Sequence, residues 1–231
     1  MSQTNEYFDL LIIGAGLSGI GAGCHMKKEC PGKSFAILEG RQAIGGTWDL
    51  FRYPGIRSDS DMYTLGYEFK PWVNKKGIAD GDDIRNYIRE AAQENKVEEH
   101  IRFGHKVIGA DYSSSESLWT VTVEVDGETR TYRSQFLLSC TGYYNYNEGF
   151  TPDFEGRDDF KGQILHPQFW PEDLDYEGRR DEGQEVRHDL LEDDAEAADA
   201  GKLGDGPAHF ARSVATEWAA EQRWCRGRWG N

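Results

Sequence analysis

Hydrophobic and polar positions alternate along this chain in three different rhythms. Residues 10–13 form a continuous apolar run, Leu-Leu-Ile-Ile, the pattern of a strand covered on both faces. The stretch from Leu17 to Glu29 predicts a helix, ended by Pro31-Gly32, with Lys27 and Lys28 suited to its last turn. A second short strand follows at residues 34–38 and closes on Glu39. Ile84, Tyr87, Ile88 and Ala91 stand at i, i+3, i+4 and i+7, which predicts a helix opening at Gly81 with Asp82 as its cap. From Ile101 the period falls to two. Residues 106–112, 118–125 and 128–133 read as an antiparallel set, the last two joined by the hairpin dipeptide Asp126-Gly127. Residues 135–140 read as one more buried strand. This order of elements predicts an α/β fold, a doubly wound sheet carrying an antiparallel β insert.

The junction between the first strand and the first helix carries chemistry. Gly14-Ala-Gly16-Leu-Ser18-Gly19 is a GxGxxG turn between a strand and a helix, the setting in which that spacing signals a Rossmann-like dinucleotide site. Gly14 permits a tight turn and Gly16 lets backbone approach a pyrophosphate. Gly19 and Gly23 thin the helix where it lies on the sheet. The helix start offers free N–H groups and the positive end of its dipole to phosphate. Glu39, about 20 residues beyond the glycines, stands where a ribose hydroxyl is held. A carboxylate there accepts from a free 2′-OH and repels a 2′-phosphate, so this first site suits FAD or NAD better than NADP.

Charge changes the picture only toward the C-terminus. The 231 residues carry a net charge of −15, and residues 172–206 hold 14 acids against 4 basic residues. The first 171 residues hold 25 acids against 18 basic residues, which excludes a basic nucleic-acid surface. Cys24, Cys30, Cys140 and Cys225 show no metal-ligand spacing and read as reduced thiols. No run approaches the length of a membrane span and no basic, apolar leader precedes the first strand. The expectation is a cytoplasmic protein without a transmembrane segment or metal.

A long loop after Glu39 has the composition of a site rather than a connector. Gly45-Gly46-Thr47-Trp48-Asp49-Leu50 runs into Phe51-Arg52-Tyr53-Pro54-Gly55-Ile56-Arg57-Ser58-Asp59. Together with the GxGxxG turn and a third motif, these residues resemble the class B flavoprotein monooxygenases, and within them the Baeyer–Villiger monooxygenases. The third motif is Phe160, Gly162, His166, Trp170 and Pro171, which matches every fixed place of that family's FxGxxxHxxxW(P/D) fingerprint. The likeness spans residues 8–177.

The resemblance implies an FAD-binding domain over residues 1–177 and an enzyme that uses FAD, NADPH and O2. Its implied substrate is a small ketone or sulfur compound, oxygenated through a peroxyflavin, with the cofactor supplying the hard chemistry. By the same resemblance Gly14, Gly16, Ser18, Gly19, Glu39, Gly46, Thr47, Trp48, Asp49, Leu50 and Val107 hold FAD. Ser18 would contact a phosphate, residues 47–50 would run along the flavin, and the Val107 backbone would meet adenine. Arg57, Ser58 and Asp59 lie between flavin and NADP, with Asp59 as the catalytic candidate. His166 and Trp170 are implied to steady a linker rather than to take part in chemistry.

The family pattern departs after about Arg180. A second GxGxxG turn for NADP is expected there; residues 181–200 are instead acidic and alanine-rich, and Gly201-Lys-Leu-Gly-Asp-Gly206 lacks the spacing. Residues 178–231 therefore read as a non-family, poorly ordered tail with one possible helix over 208–224, the mark of a truncated or frame-shifted C-terminus. Two readings follow. One is part of an NADPH-dependent monooxygenase, and the other is a non-catalytic flavin-binding remnant or interaction protein.

Overall fold

The computed structural model describes residues 6–152 and 156–175. The chain divides into units 1–180 and 181–231, and every described residue belongs to the first. The expected tail and its helix over 208–224 lie outside the described residues.

The continuous apolar run becomes the centre of the sheet. Strand β1 (Glu6–Ile13) lies between β2 (Phe35–Leu38) and β6 (Glu128–Ser139), parallel to both. The short β3 (Ile101–Arg102) adds beyond β2, and the sheet order is β3-β2-β1-β6-β5-β4, with β4 at Lys106–Ser113 and β5 at Leu118–Val125. Successive strand residues face opposite sides. Ile12 accordingly joins a core with Ile20, Ile37, Ile84 and Ile88 on the helix side. Leu11 joins a second core with Leu38, Val121 and Val123, so the antiparallel strands cover the other face.

Helix α1 (Leu17–Glu29) has the predicted bounds and lies close to the sheet. A Cβ on Gly23 would sit 2.7 Å from Val97 Cγ1 and 3.0 Å from Ile37 Cδ1, so a larger residue would lift the helix. After the short helices α2 (Thr47–Leu50) and α3 (Met62–Leu65), α4 (Gly81–Glu94) packs its apolar stripe on α1. Tyr67 ties this region together. Its hydroxyl donates to the Leu17 carbonyl at 2.6 Å, its N–H donates to Tyr87 Oη at 2.6 Å, and its burial pushes the phenol pKa well up.

Three expectations need correction. Residues 128–133 and 135–140 are not two strands but the single β6, whose residues 128–134 pair with β5 and whose residues 132–139 pair with β1. Ser134, between the two predicted runs, is fully buried, and no Gly or Pro breaks the ladder there. The second half of β6 is also not buried. The partner β5 begins only at Leu118, and its first pair with β6 is Trp119 opposite Ser134, so Phe136 and Leu138 are left 54% and 37% exposed on an edge. Finally, Asp82 does not cap α4. The cap position is Asp80, whose carboxylate is taken by Lys76 at 2.7 Å, while Asp82 sits inside the first turn and pairs with Arg85 at 2.8 Å. The Asp126-Gly127 hairpin forms as expected, with φ of +52° and +78°.

Candidate functional site

The glycine turn leaves β1 at the C-terminal edge of the sheet, where ligands of open α/β folds bind. Gly14 has φ +98°, and its N–H donates to the Leu38 carbonyl at 2.8 Å. A Cβ there would stand 2.5 Å from the Cys140 carbonyl oxygen. A Cβ on Gly19 would overlap the Gly14 carbonyl oxygen, so the third glycine is what lets α1 start against the turn. Gly16 is the N-cap of α1 and makes no side-chain cap bond, and Ser18 stands exposed in the first turn. The start of α1 thus presents N–H groups and a hydroxyl without a capping side chain, as an anion site requires.

Glu39 closes the other side of the turn. It is only 6% exposed, and its Oε2 accepts from the Ala15 N–H at 2.7 Å while Oε1 accepts from the Arg41 N–H at 2.8 Å. An ionised carboxylate has about four acceptor positions, so each oxygen keeps capacity for a hydroxyl donor. The same carbonyl-rich corner receives β4. The Glu39 carbonyl accepts from the His105 N–H at 2.9 Å, and the start of β4 at Lys106 lies against Gly40. Val107 is therefore two residues from this corner, half-buried, next to a break in register between Val107 and Gly109.

The second glycine pair packs against the first. Gly45 (φ +131°) donates its N–H to the Ala15 carbonyl at 3.0 Å, and a Cβ on Gly46 (φ +56°) would stand 3.0 Å from Gly16 Cα. Gly46 then opens α2. Thr47, Trp48 and Leu50 are half-buried, and Trp48 packs on the helix-side core. Asp49 is different. Its side chain is 4% exposed and meets three guanidinium groups, Arg52 at 2.8 Å, Arg41 at 2.9 Å and Arg89 at 3.2 Å.

The segment 57–59 is held by backbone pairing to the start of α4. Ser58 is 2% exposed, donates its N–H to the Ala79 carbonyl at 2.9 Å, and accepts at Oγ from the Ala79 N–H at 3.0 Å. Arg57 forms an antiparallel bridge with Asp80, and Asp59 is exposed. A cavity of about 340 Å³ lies between residues 51–56 and the start of α4, lined by Trp48, Arg52, Tyr53, Ile56, Asp80 and Arg85 among others and by none of residues 57–59. The structure thus gathers Gly14–Gly19, Glu39 and Gly45–Leu50 around one turn. Arg57, Ser58 and Asp59 stand apart from it on the bridge to α4, and Trp48 belongs to the first group while also lining the cavity.

Two contributors stand at no fixed place of any motif. Tyr146 follows β6 at the same sheet edge. Its ring lies under the Arg41 guanidinium at 5.6 Å, its hydroxyl is near Gly46, and burial pushes its phenol pKa up. The one sequence signal for it is position, since the residues after a parallel strand emerge beside the turn after β1. Gln168, within the fingerprint, is 8% exposed and donates Nε2–H to the Asn145 carbonyl at 2.7 Å. His166 accepts at Nδ1 from the Gln168 N–H at 3.2 Å, which leaves Nε2–H to donate to the Phe150 carbonyl at 3.1 Å. Together these bonds clasp residues 145–150.

The geometry agrees with what the chain is similar to. A model described as an NAD(P)-binding Rossmann-like domain matches residues 12–72, and one described as flavin-binding monooxygenase-like matches residues 71–181. The FAD-containing monooxygenase EthA of Mycolicibacterium smegmatis is 61% identical over 175 residues, which is 76% of this chain and 36% of the relative. Among solved structures, OTEMO in complex with FAD and NADP aligns with TM-score 0.59 and 32% identity over 75% of this chain and 32% of that one. A cyclohexanone-bound cyclohexanone monooxygenase aligns with TM-score 0.61 and 28% identity over 74% of this chain and 33% of that one. The chain spans about a third of the length of these proteins. Its glycine turn, its second glycine pair and its fingerprint fall within the matched residues, and over them the chain belongs to the class B flavin-binding monooxygenases of the EthA and Baeyer–Villiger type.

Proposed function

We propose that residues 1–177 form an FAD-binding domain of a cytoplasmic, NADPH-dependent monooxygenase that oxygenates a small ketone or a sulfur compound. The observation that carries this reading is the Glu39 carboxylate, buried beside the Gly14–Gly16 turn with one N–H on each oxygen and acceptor capacity left over. Bound FAD would supply the redox chemistry between NADPH and O2. Glu39 would hold the two ribose hydroxyls of the adenosine half, and the α1 start with the Ser18 hydroxyl would hold the pyrophosphate. Thr47, Trp48 and Leu50 would line the flavin, and Val107 would meet adenine through its backbone. Arg57, Ser58 and Asp59 would stand at the nicotinamide side, with Asp59 in solvent reach to hold or release a proton. Support for the cytoplasmic part of the reading comes from the free thiols of Cys24, Cys30 and Cys140.

The test is a titration of the purified chain with FAD, followed by flavin fluorescence. ADP should compete for the same site, whereas adenosine 2′,5′-bisphosphate should not, because a 2′-phosphate would face the Glu39 carboxylate. Glu39→Gln removes a charge-assisted hydrogen bond of roughly 1.5–3 kcal/mol, or about 10- to 150-fold in affinity. Unchanged FAD affinity in Glu39→Gln would refute the assignment.

A further inference from the structure

We infer that Asp49 is a positioning residue, which holds the Gly45–Leu50 loop in its binding shape by gathering three guanidinium groups rather than by touching a ligand. The loop cannot hold this shape through local preference alone. Gly45 and Gly46 both have positive φ, and α2 is a single turn with no side-chain cap. Its restraint comes from three directions. Arg41 reaches in from the end of β2, pairing Nη2 with Asp49 Oδ2 at 2.9 Å and also donating to the Asp49 carbonyl at 3.2 Å and the Gly46 carbonyl at 3.4 Å. Arg52 closes from the following residues, with Nη2 to Oδ1 at 2.8 Å and Nε–H to the Asp49 carbonyl at 3.1 Å. Arg89 comes from the middle of α4, with Nη2 to Oδ1 at 3.2 Å.

The arrangement ties the loop to the binding turn through covalent and hydrogen-bonded neighbours. The Arg41 backbone N–H is held by Glu39, and the Gly46 backbone that Arg41 contacts rests on Gly16. Asp49 therefore links α4 to both glycine pairs. One buried carboxylate balances three guanidiniums, so the cluster carries two excess positive charges, and its stability depends on that single negative group. The guanidiniums are 29–43% exposed, so solvent screens part of their repulsion, but without the buried carboxylate three like charges stand side by side with nothing between them to offset it.

Charge balance provides the test. In Asp49→Asn three guanidiniums share a neutral amide, and they should drive the loop apart. In Asp49→Asn/Arg89→Gln one of those charges is gone, and part of the order should return. A direct ligand contact predicts no such recovery. Amide hydrogen exchange of residues 45–50 in the purified 231-residue chain reads the loop itself. Exchange about tenfold or more faster in Asp49→Asn, restored in part by Arg89→Gln in the same background, is the expected result. FAD titration should follow the same order, with affinity lowered about tenfold or more in Asp49→Asn and partly recovered in the double variant.

The affinity arm rests on the reading of the turn as an FAD site, and the exchange arm does not. If the wild-type chain fails to bind FAD, that reading fails while exchange still decides the role of Asp49. Unchanged exchange in Asp49→Asn, or no recovery in the double variant, overturns the inference. Should Asp49→Asn lose its near-ultraviolet circular dichroism, a folded double variant supports the charge balance and an unfolded one overturns it.

Discussion

Replacing Gly14 by alanine tests the turn with two costs that are independent of any ligand. The backbone there has φ +98°, outside the regions open to a residue with a side chain. Holding alanine in such a conformation costs about 1–3 kcal/mol. The added methyl would also stand 2.5 Å from the Cys140 carbonyl oxygen and 3.2 Å from its carbon, where real Cβ atoms essentially never come closer than 3.0 Å. Neither side yields easily. The Cys140 N–H is bonded to the Ile13 carbonyl at 2.8 Å and the Gly14 N–H to the Leu38 carbonyl at 2.8 Å, so the clash is between backbones locked across three strands. Overpacking of this kind costs about 1–3 kcal/mol more. The combined loss of roughly 2–6 kcal/mol is a large part of the 5–15 kcal/mol typical of a domain, and at about 2–4 °C per kcal/mol it lowers the melting temperature by roughly 4–24 °C. Thermal unfolding followed by near-ultraviolet circular dichroism measures this. Gly32→Ala serves as the control, because a Cβ there meets nothing within 4 Å and φ is not positive. A Gly14→Ala protein melting with the Gly32→Ala control would refute the account of the turn.

Two other outcomes follow from the same structure. Asp9 accepts from the Ser34 N–H and hydroxyl, both at 2.8 Å, and from Lys33 at 3.0 Å, and the Ser34 backbone bond above all lowers its pKa to about 2. A depressed folded-state pKa means stability that is present above the unfolded value near 3.9 and lost as pH falls toward 2. Urea midpoints should therefore drop less between pH 4 and pH 2 in Asp9→Asn than in wild type, and equal drops would show that the Ser34 bonds do not favour the charged form. Residues 1–231 contain no second GxGxxG turn for NADP, so the purified chain with added FAD should not couple NADPH consumption to oxygenated product. Coupled product from a ketone or sulfide at about 1 per second or more would contradict that expectation.

Much of the fold and part of the site were legible because the signals are local. A continuous apolar run, a GxGxxG spacing and an Asp-Gly dipeptide each constrain a few adjacent residues, and β1, α1 and the hairpin formed where those signals stand. Glu39 was legible for the same reason, since the length of one strand–helix–strand unit delivers its end to the turn after β1. Where local signals failed, a competing long-range bond decided. Asp82 has the chemistry of a cap, but the bridge of Arg57 to Asp80 fixes the helix start earlier. The apolar run in the second half of β6 has the pattern of burial, but its exposure depends on where a different strand begins.

By itself, then, the amino-acid sequence determined the α/β order of elements, the glycine turn with its acidic partner and the family of the matched residues. These depend on spacing along one stretch of chain. Only the tertiary structure decided that Asp49 turns inward to Arg41, Arg52 and Arg89, that Tyr146 lies under Arg41, and that Ser58 is taken up by Ala79. Those partners are far apart in sequence or lie in loops without a repeat, and a carboxylate or hydroxyl carries no mark of which neighbour will satisfy it. The choice is made by desolvation. Once the sheet and helices bury a polar group, it must pair with whatever the fold has brought within reach.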